Sequence, residues 1–222
     1  MIRDVDIRDI SDGRLYGSDD LVKLGSGGCA GCSRCCREVG DTIVLDPCDV
    51  FRLGQNAGYS FDALLQGYVK LTVIDSLVLP TLAMTTGEDS ACVFLNPEGR
   101  CSVHAFRPGY CRLYPLGRYY EGNEFSYILQ VHECDRAKTK VRIRKWLEEP
   151  QLPVYEQFVR DWHRLTRDLM HLVDTSSDDL KQRICVQLLN GFYRRQWDYS
   201  QSFFPQFDAA LEEERRRFGL AP

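Results

Sequence analysis

From about residue 138 onward the apolar positions keep a helical beat. Val154, Phe158, Trp162, Leu165, Leu169 and Leu172 recur at steps of three and four, the spacing of one apolar stripe along a long helix. A second apolar face follows in "LKQRICVQLLNGF". After "FFPQF", the run "DAALEEERRRFG" predicts a charged terminal helix with Asp208 as its cap and Gly219 at its end.

The first half of the chain has shorter, mixed patterns. "DTIVL" predicts a strand. In "DPCDVFRLGQNAG" Asp46 stands in the N-cap place, Pro47 in the first turn and Gly58 at the stop, so a helix is expected between them. A second, short helix opens at Ser60. "YVKLTVIDSLVLPTLAM" reads as two strands around an Asp75–Ser76 turn, "CVFLNPEGRCSVH" as a hairpin with an Asn-Pro-Glu-Gly tip, and "RYYEGNEFSYILQ" as a hairpin around Gly122–Asn123. The expected fold class is α+β: an irregular, cysteine-rich metal-binding domain with short hairpins and helices over residues 1–137, then an α-helical segment over 138–222 packed on it.

Composition narrows the function. A formal charge of -4 leaves no basic excess to condense on nucleic acid or an anionic bilayer, so neither is expected as a partner. No stretch approaches the roughly 18 apolar residues of a spanning helix, and "MIRDVDIRDISDGRLYG" lacks the apolar run of a secretory signal, which places the protein in the cytoplasm. In that reducing compartment ten cysteines point to metal ligation or redox chemistry rather than to disulfides.

The thiols are concentrated in "GGCAGCSRCC". Cys29, Cys32 and Cys35 make two overlapping CxxC steps, which let a chain fold back so that its sulfurs meet one metal, and Gly27, Gly28 and Gly31 supply the freedom of a wrapped loop. Cys36 breaks this spacing. Adjacent side chains diverge, so its sulfur is expected to serve a different metal atom or site. Cys92 and Cys101 flank "VFLNPEGR", Cys111 follows "RPGY" and Cys134 ends "VHEC", which makes two sets of four thiols. Cys48 and Cys185 read as core, His104 as hydrogen-bonded structure before metal ligand, and His163 and His171 as packing or solvated positions.

Thiolate-only ligation suits zinc or an iron–sulfur cluster. Structural zinc sites use two separated knuckles, whereas three cysteines at CxxC steps in one loop favour iron–sulfur, of the 4Fe-4S type, with zinc as the alternative. Either centre carries negative charge that needs cations nearby. Arg34, Arg37, Arg100, Arg107, Arg112 and Arg118 lie near the candidate ligands. Arg107 and Arg112 are the preferred positions for holding the cofactor's charge or the carboxylate of an anionic substrate such as S-adenosylmethionine. GxGxxG, GxxxxGK[ST], HExxH, GxSxG and the radical CxxxCxxC spacing are absent.

Taken together, "CAGCSRCC", "CVFLNPEGRCSVHAFRPGYCRLYPLGR" and "HEC", spread over residues 27 to 135, resemble the CxxCxxCC family of zinc- or iron-chelating proteins, the YkgJ-like cysteine-cluster proteins. The iron–sulfur flagellin lysine methylases are similar in the same region. The resemblance implies a metal centre built from the eight paired cysteines, and it does not reach the helical part. Two readings of function stay open: an iron–sulfur protein in redox or group-transfer chemistry, methyl transfer included, or a zinc-stabilised scaffold whose helical tail binds a partner. The partner is a protein or a small molecule that the sequence does not name, and the sequence leaves open whether the chain is an enzyme.

Overall fold

The computed structural model of the chain describes residues 6–25, 32–37, 42–87, 90–131, 133–134 and 138–221. In chain order its first elements are α1 (Ile7–Ile10), β1 (Leu21–Gly25), α2 (Pro47–Ala57), α3 (Phe61–Leu64), β2 (Val69–Ile74), β3 (Leu77–Leu82) and α4 (Gly109–Leu113). There follow β4 (Leu116–Glu121), β5 (Glu124–Leu129), β6 (Lys138–Arg142), α5 (Ile143–Leu147), α6 (Leu152–Asp174), α7 (Asp178–Leu188) and α8 (Phe203–Arg217). The strands pair as three antiparallel ribbons, β1 with β6, β2 with β3 and β4 with β5, which makes the fold mixed α+β.

The chain groups into two compact units, residues 1–30 with 110–163, and residues 31–109 with 164–222. The boundary expected at residue 137 falls inside the first of these units.

In the first unit β1 and β6 pair from Leu21↔Arg142 to Gly25↔Lys138 and bury Val22 and Leu24. The β4–β5 hairpin turns through Gly122 at φ 65, a left-handed conformation that glycine adopts without strain. Tyr16 extends this hairpin by exchanging two main-chain hydrogen bonds with Tyr127, each 2.9 Å. The start of α6 corrects the expected stripe. Leu152, Tyr155, Phe158 and Val159 are buried, while Val154 is 45 % exposed. Tyr155 and Glu156 both find hydrogen-bond partners on the hairpin, Arg118 and Tyr127, and a helix that turns those positions inward rotates Val154 out.

In the second unit Asp46 caps α2 with a reciprocal capping box: the Asp49 N–H donates to Asp46 Oδ1 at 2.8 Å and the Asp46 N–H to Asp49 Oδ2 at 3.2 Å. Gly58, at φ 73, ends the helix. The apolar face of α2 meets the C-terminal region through Phe51, whose ring lies 5.2 Å from both Tyr199 and Phe203. Tyr193 packs on Phe61 and donates its hydroxyl to the Leu45 carbonyl at 2.9 Å.

Three expectations in this unit change. "DTIVL", whose Asp41 lies outside the described residues, gives one bridge, Val44↔Thr81, rather than a strand, because Asp46 and Pro47 start a helix directly after it. "CVFLNPEGRC" closes through a single bridge, Leu95↔Cys101, with Asn96 accepting the Arg100 N–H at 2.8 Å. Asp208 does not cap the last helix. That helix begins at Phe203, after Ser202, since Pro205 sits in a first turn whose N–H groups need no helical partner, and Phe203, Phe204 and Phe207 join its buried face.

Candidate metal centre

The cysteine loop enters the second unit as a tight turn. Arg34–Cys36 form one 3₁₀ turn, closed by the Cys36 N–H to the Ser33 carbonyl and the Arg37 N–H to the Arg34 carbonyl, each 3.0 Å. At three residues per turn successive side chains leave about 120° apart, so the Cys35 and Cys36 thiols diverge.

Arg37 then bridges to Ala91, and the Cys92 N–H donates to the Cys36 carbonyl at 2.7 Å. Cys92 bridges on its other side to Met84. The Asn96–Gly99 turn, with Gly99 at φ 72, returns the chain so that Leu95 pairs with Cys101. A Cβ on Gly99 would lie 3.7 Å from Ser33 Oγ, so the tip of this turn reaches the cysteine loop. The backbones of Cys36, Cys92 and Cys101 therefore belong to one patch of the second unit.

Electrostatics agree with that placement. Burial pushes the Cys92 thiol up, a hydrogen bond from the Phe94 backbone partly offsets this, and the nearby Cys101 thiol raises it further. A cation bound between two such thiols would replace their protons. Cys32 and Cys35 are half-buried in the same loop, and Cys29 lies outside the described residues. Among the described residues no three Cys, His, Asp or Glu side chains are grouped as one metal ion requires.

Cys111, on α4, and Cys134 fall in the first unit and are both half-buried. Tyr114 joins their segments: its hydroxyl meets the Glu133 carbonyl and lies 3.1 Å from Glu133 Oε2. Cys48 and Cys185 are buried in α2 and α7, as their apolar surroundings predict.

The arginines separate into classes that spacing could not reveal. Arg34, Arg37 and Arg100 are exposed. Arg107 donates to the carbonyl of His104 at 2.9 Å and lies 3.3 Å from its Nδ1, and His104 itself sits in a 3₁₀ turn. Arg112 is buried and pairs with buried Glu149 at 2.8 Å. Glu149 leaves no signal in the sequence, since nothing local connects positions 37 apart.

Asp49 is a further residue that spacing by itself underrates. It is 1 % exposed, and beyond its capping role its Oδ1 accepts the Gly109 N–H at 2.7 Å, fixing the backbone after "FRP". Its place three residues after an N-cap Asp is the only sequence signal for it. His163 stacks on Tyr120 with centroids 3.7 Å apart, and His171 is exposed, in line with packing and solvated roles. Among the described residues no helix is long and apolar enough to cross a membrane.

A family model, CxxCxxCC, described as "Putative zinc- or iron-chelating domain", matches residues 28–138, half of the chain. Neither the curated proteins nor the solved structures give a match.

Proposed function

The chain belongs to the CxxCxxCC family of zinc- or iron-chelating domains, and we propose that it holds iron–sulfur centres of the 4Fe-4S type, with Cys29, Cys32, Cys35, Cys36, Cys92, Cys101, Cys111 and Cys134 divided into two sets of four thiolates, one set to each centre. The observation that carries this reading is the main-chain bond from Cys92 to Cys36, which lays the CxxCxxCC loop beside the strand segment that leads to Cys101. Three thiols at CxxC steps in one loop suit an iron–sulfur cluster better than a zinc knuckle. When bound, such a cluster supplies electron transfer or a Lewis-acidic iron for group transfer, methyl transfer included.

The protein's own groups then hold the charge. Cys35 and Cys36, directed apart by their turn, serve different metal atoms. Arg107 and Arg112 supply positive charge toward the cluster or an anionic substrate, and the reliance on reduced thiols suits the cytoplasm. The partner is a small molecule or another protein.

Purification without oxygen, followed by iron, sulfide and zinc analysis, tests the reading. Brown protein with iron and acid-labile sulfide is the expected result. Colourless protein with stoichiometric zinc would replace it with a zinc-stabilised scaffold that binds a partner.

A further inference from the structure

The β4–β5 hairpin meets the first half of α6 through a row of polar and aromatic pairs, all within the first unit. Tyr127 donates to Glu156 Oε1 at 2.9 Å, Arg160 lies over Phe125 at 5.9 Å, Tyr120 stacks on His163, and Arg118 Nη2 donates to the Tyr155 hydroxyl at 3.2 Å. Three of these pairs are complete. The Arg118 pair is not.

The Arg118 guanidinium lies 5.6 Å from the Phe125 ring, 5.8 Å from that of Tyr155 and 6.0 Å from that of Tyr110. Its Nε is sealed from solvent and donates to nothing, and Arg118 makes no ion pair among the described residues. The Tyr155 ring carries a second guanidinium, that of Arg112, 5.4 Å from its centroid. Arg112 gives Nη1 to Glu149, while its Nη2 is also sealed and, among the described residues, without an acceptor. Two cations thus share one tyrosine ring, each with an unsatisfied N–H.

A sealed donor without a partner is costly, and a buried charge with no counter-charge costs more. Aromatic faces attract the cations and offset part of this, but they accept no N–H bond in the guanidinium plane. Water satisfies a donor but leaves the charge uncompensated. What the cluster lacks is one negative charge able to accept from two guanidinium groups.

We infer that Arg118, Tyr155 and Arg112 form a binding site for a small carboxylate, whose planar pair of oxygens takes the unused N–H groups. The missing charge is single, so a monoanion fits where a phosphate dianion would overcompensate. Surrounding rings favour an acid with an apolar or aromatic body. Tyr110, whose ring lies beside the Arg118 guanidinium, is 41 % exposed, and Arg118 itself is half-buried, so the site lies near the surface. This site uses none of the proposed metal ligands and stands whichever metal they hold.

Benzoate is the probe, with inorganic phosphate at equal ionic strength as its control, titrated into the full metal-loaded chain by calorimetry. Saturable binding of benzoate, in roughly the millimolar range or tighter, and none of phosphate, is expected. Arg118→Lys keeps the charge but loses the planar fork, and should weaken benzoate by about tenfold or more; Arg118→Met should abolish binding. If Arg118→Met does not fold, Arg118→Lys alone decides. No saturable binding to the wild type, equal binding to Arg118→Lys, or phosphate binding as well as benzoate would each overturn the carboxylate site. Metal content measured in the same variants should stay at the wild-type value, which keeps this test separate from that of the thiol centre.

Discussion

The backbone N–H of Cys92 donates to the carbonyl of Cys36 across 2.7 Å, so the two thiol-bearing segments are joined by main chain and not by sulfur. Serine at either position keeps that bond and removes only the thiolate. Metal per chain should therefore fall in Cys36→Ser, Cys92→Ser and Cys101→Ser, and stay at the wild-type level in Cys48→Ser and Cys185→Ser, whose side chains are packed in α2 and α7. Elemental analysis of anaerobically purified protein reads this directly. A full metal count in Cys35→Ser or Cys36→Ser would end the assignment of two sets of four.

Arg112 and Glu149 form a buried pair with side chains 9% and 3% exposed. Removing one partner strands the other charge, so Arg112→Met or Glu149→Leu should each destabilise the protein by about 3–5 kcal/mol. The double change Arg112→Met with Glu149→Leu should cost clearly less than the sum. Urea titrations of the four proteins give the coupling; additive costs would show that the pair does not act as a unit.

The parts of the fold that were legible in the sequence are those settled by neighbours in the chain. Asp46, Pro47 and Gly58 bound α2 where their backbone chemistry puts them, and Asp75 and Ser76, at φ 46 and 70, make the tight turn between β2 and β3. What escaped is set by distant partners. Val154 has the right spacing for the buried stripe, yet the hairpin's hold on Tyr155 and Glu156 turns it outward. Asp208 looks like a cap until Phe203 and Phe204 are needed against the rest of the second unit. At the candidate site, the cysteine spacing announced the loop, but neither the pairing of Arg112 with Glu149 nor the ring environment of Arg118 leaves a local trace.

Gly191 lies in a π-helical turn, Leu189–Tyr193, where an added Cβ would stand 2.5 Å from Glu214 Cδ. Glu214 cannot swing aside cheaply, since it is fully buried and held by Gln187 at 2.6 Å and Arg217 at 2.7 Å. Gly191→Ala should cost about 1–3 kcal/mol. In a Glu214→Ala background most of that increment should vanish, which a thermal-melt cycle of the four proteins measures. An undiminished cost would place the strain in the backbone of the turn.

Tyr193 is buried, and burial, then the carboxylates of Asp46 and Asp49, push its hydroxyl well above the ordinary tyrosine range. The unfolded chain ionises this group near pH 10 while the folded chain keeps the proton. Its contribution is therefore fully present below about pH 10 and is lost as pH rises beyond it. Tyr193→Phe should lower stability at neutral pH by about 1 kcal/mol, through the lost bond to the Leu45 carbonyl. It should also flatten the alkaline decline. Denaturant midpoints for both proteins at neutral pH and near pH 11 test both halves, and parallel declines would refute the assignment.

The β1–β6 ribbon sets an order of events during synthesis. Gly25 pairs with Lys138, so β1 leaves the ribosome without its partner and waits for the roughly 110 residues between them, about 6–20 s at ordinary elongation rates. Every cysteine in the family-matching stretch emerges within that interval. Metal supplied while the chain grows meets a full complement of thiols before the ribbon can close, and a strand that waits that long with an open edge is where pairing with a neighbouring chain would begin.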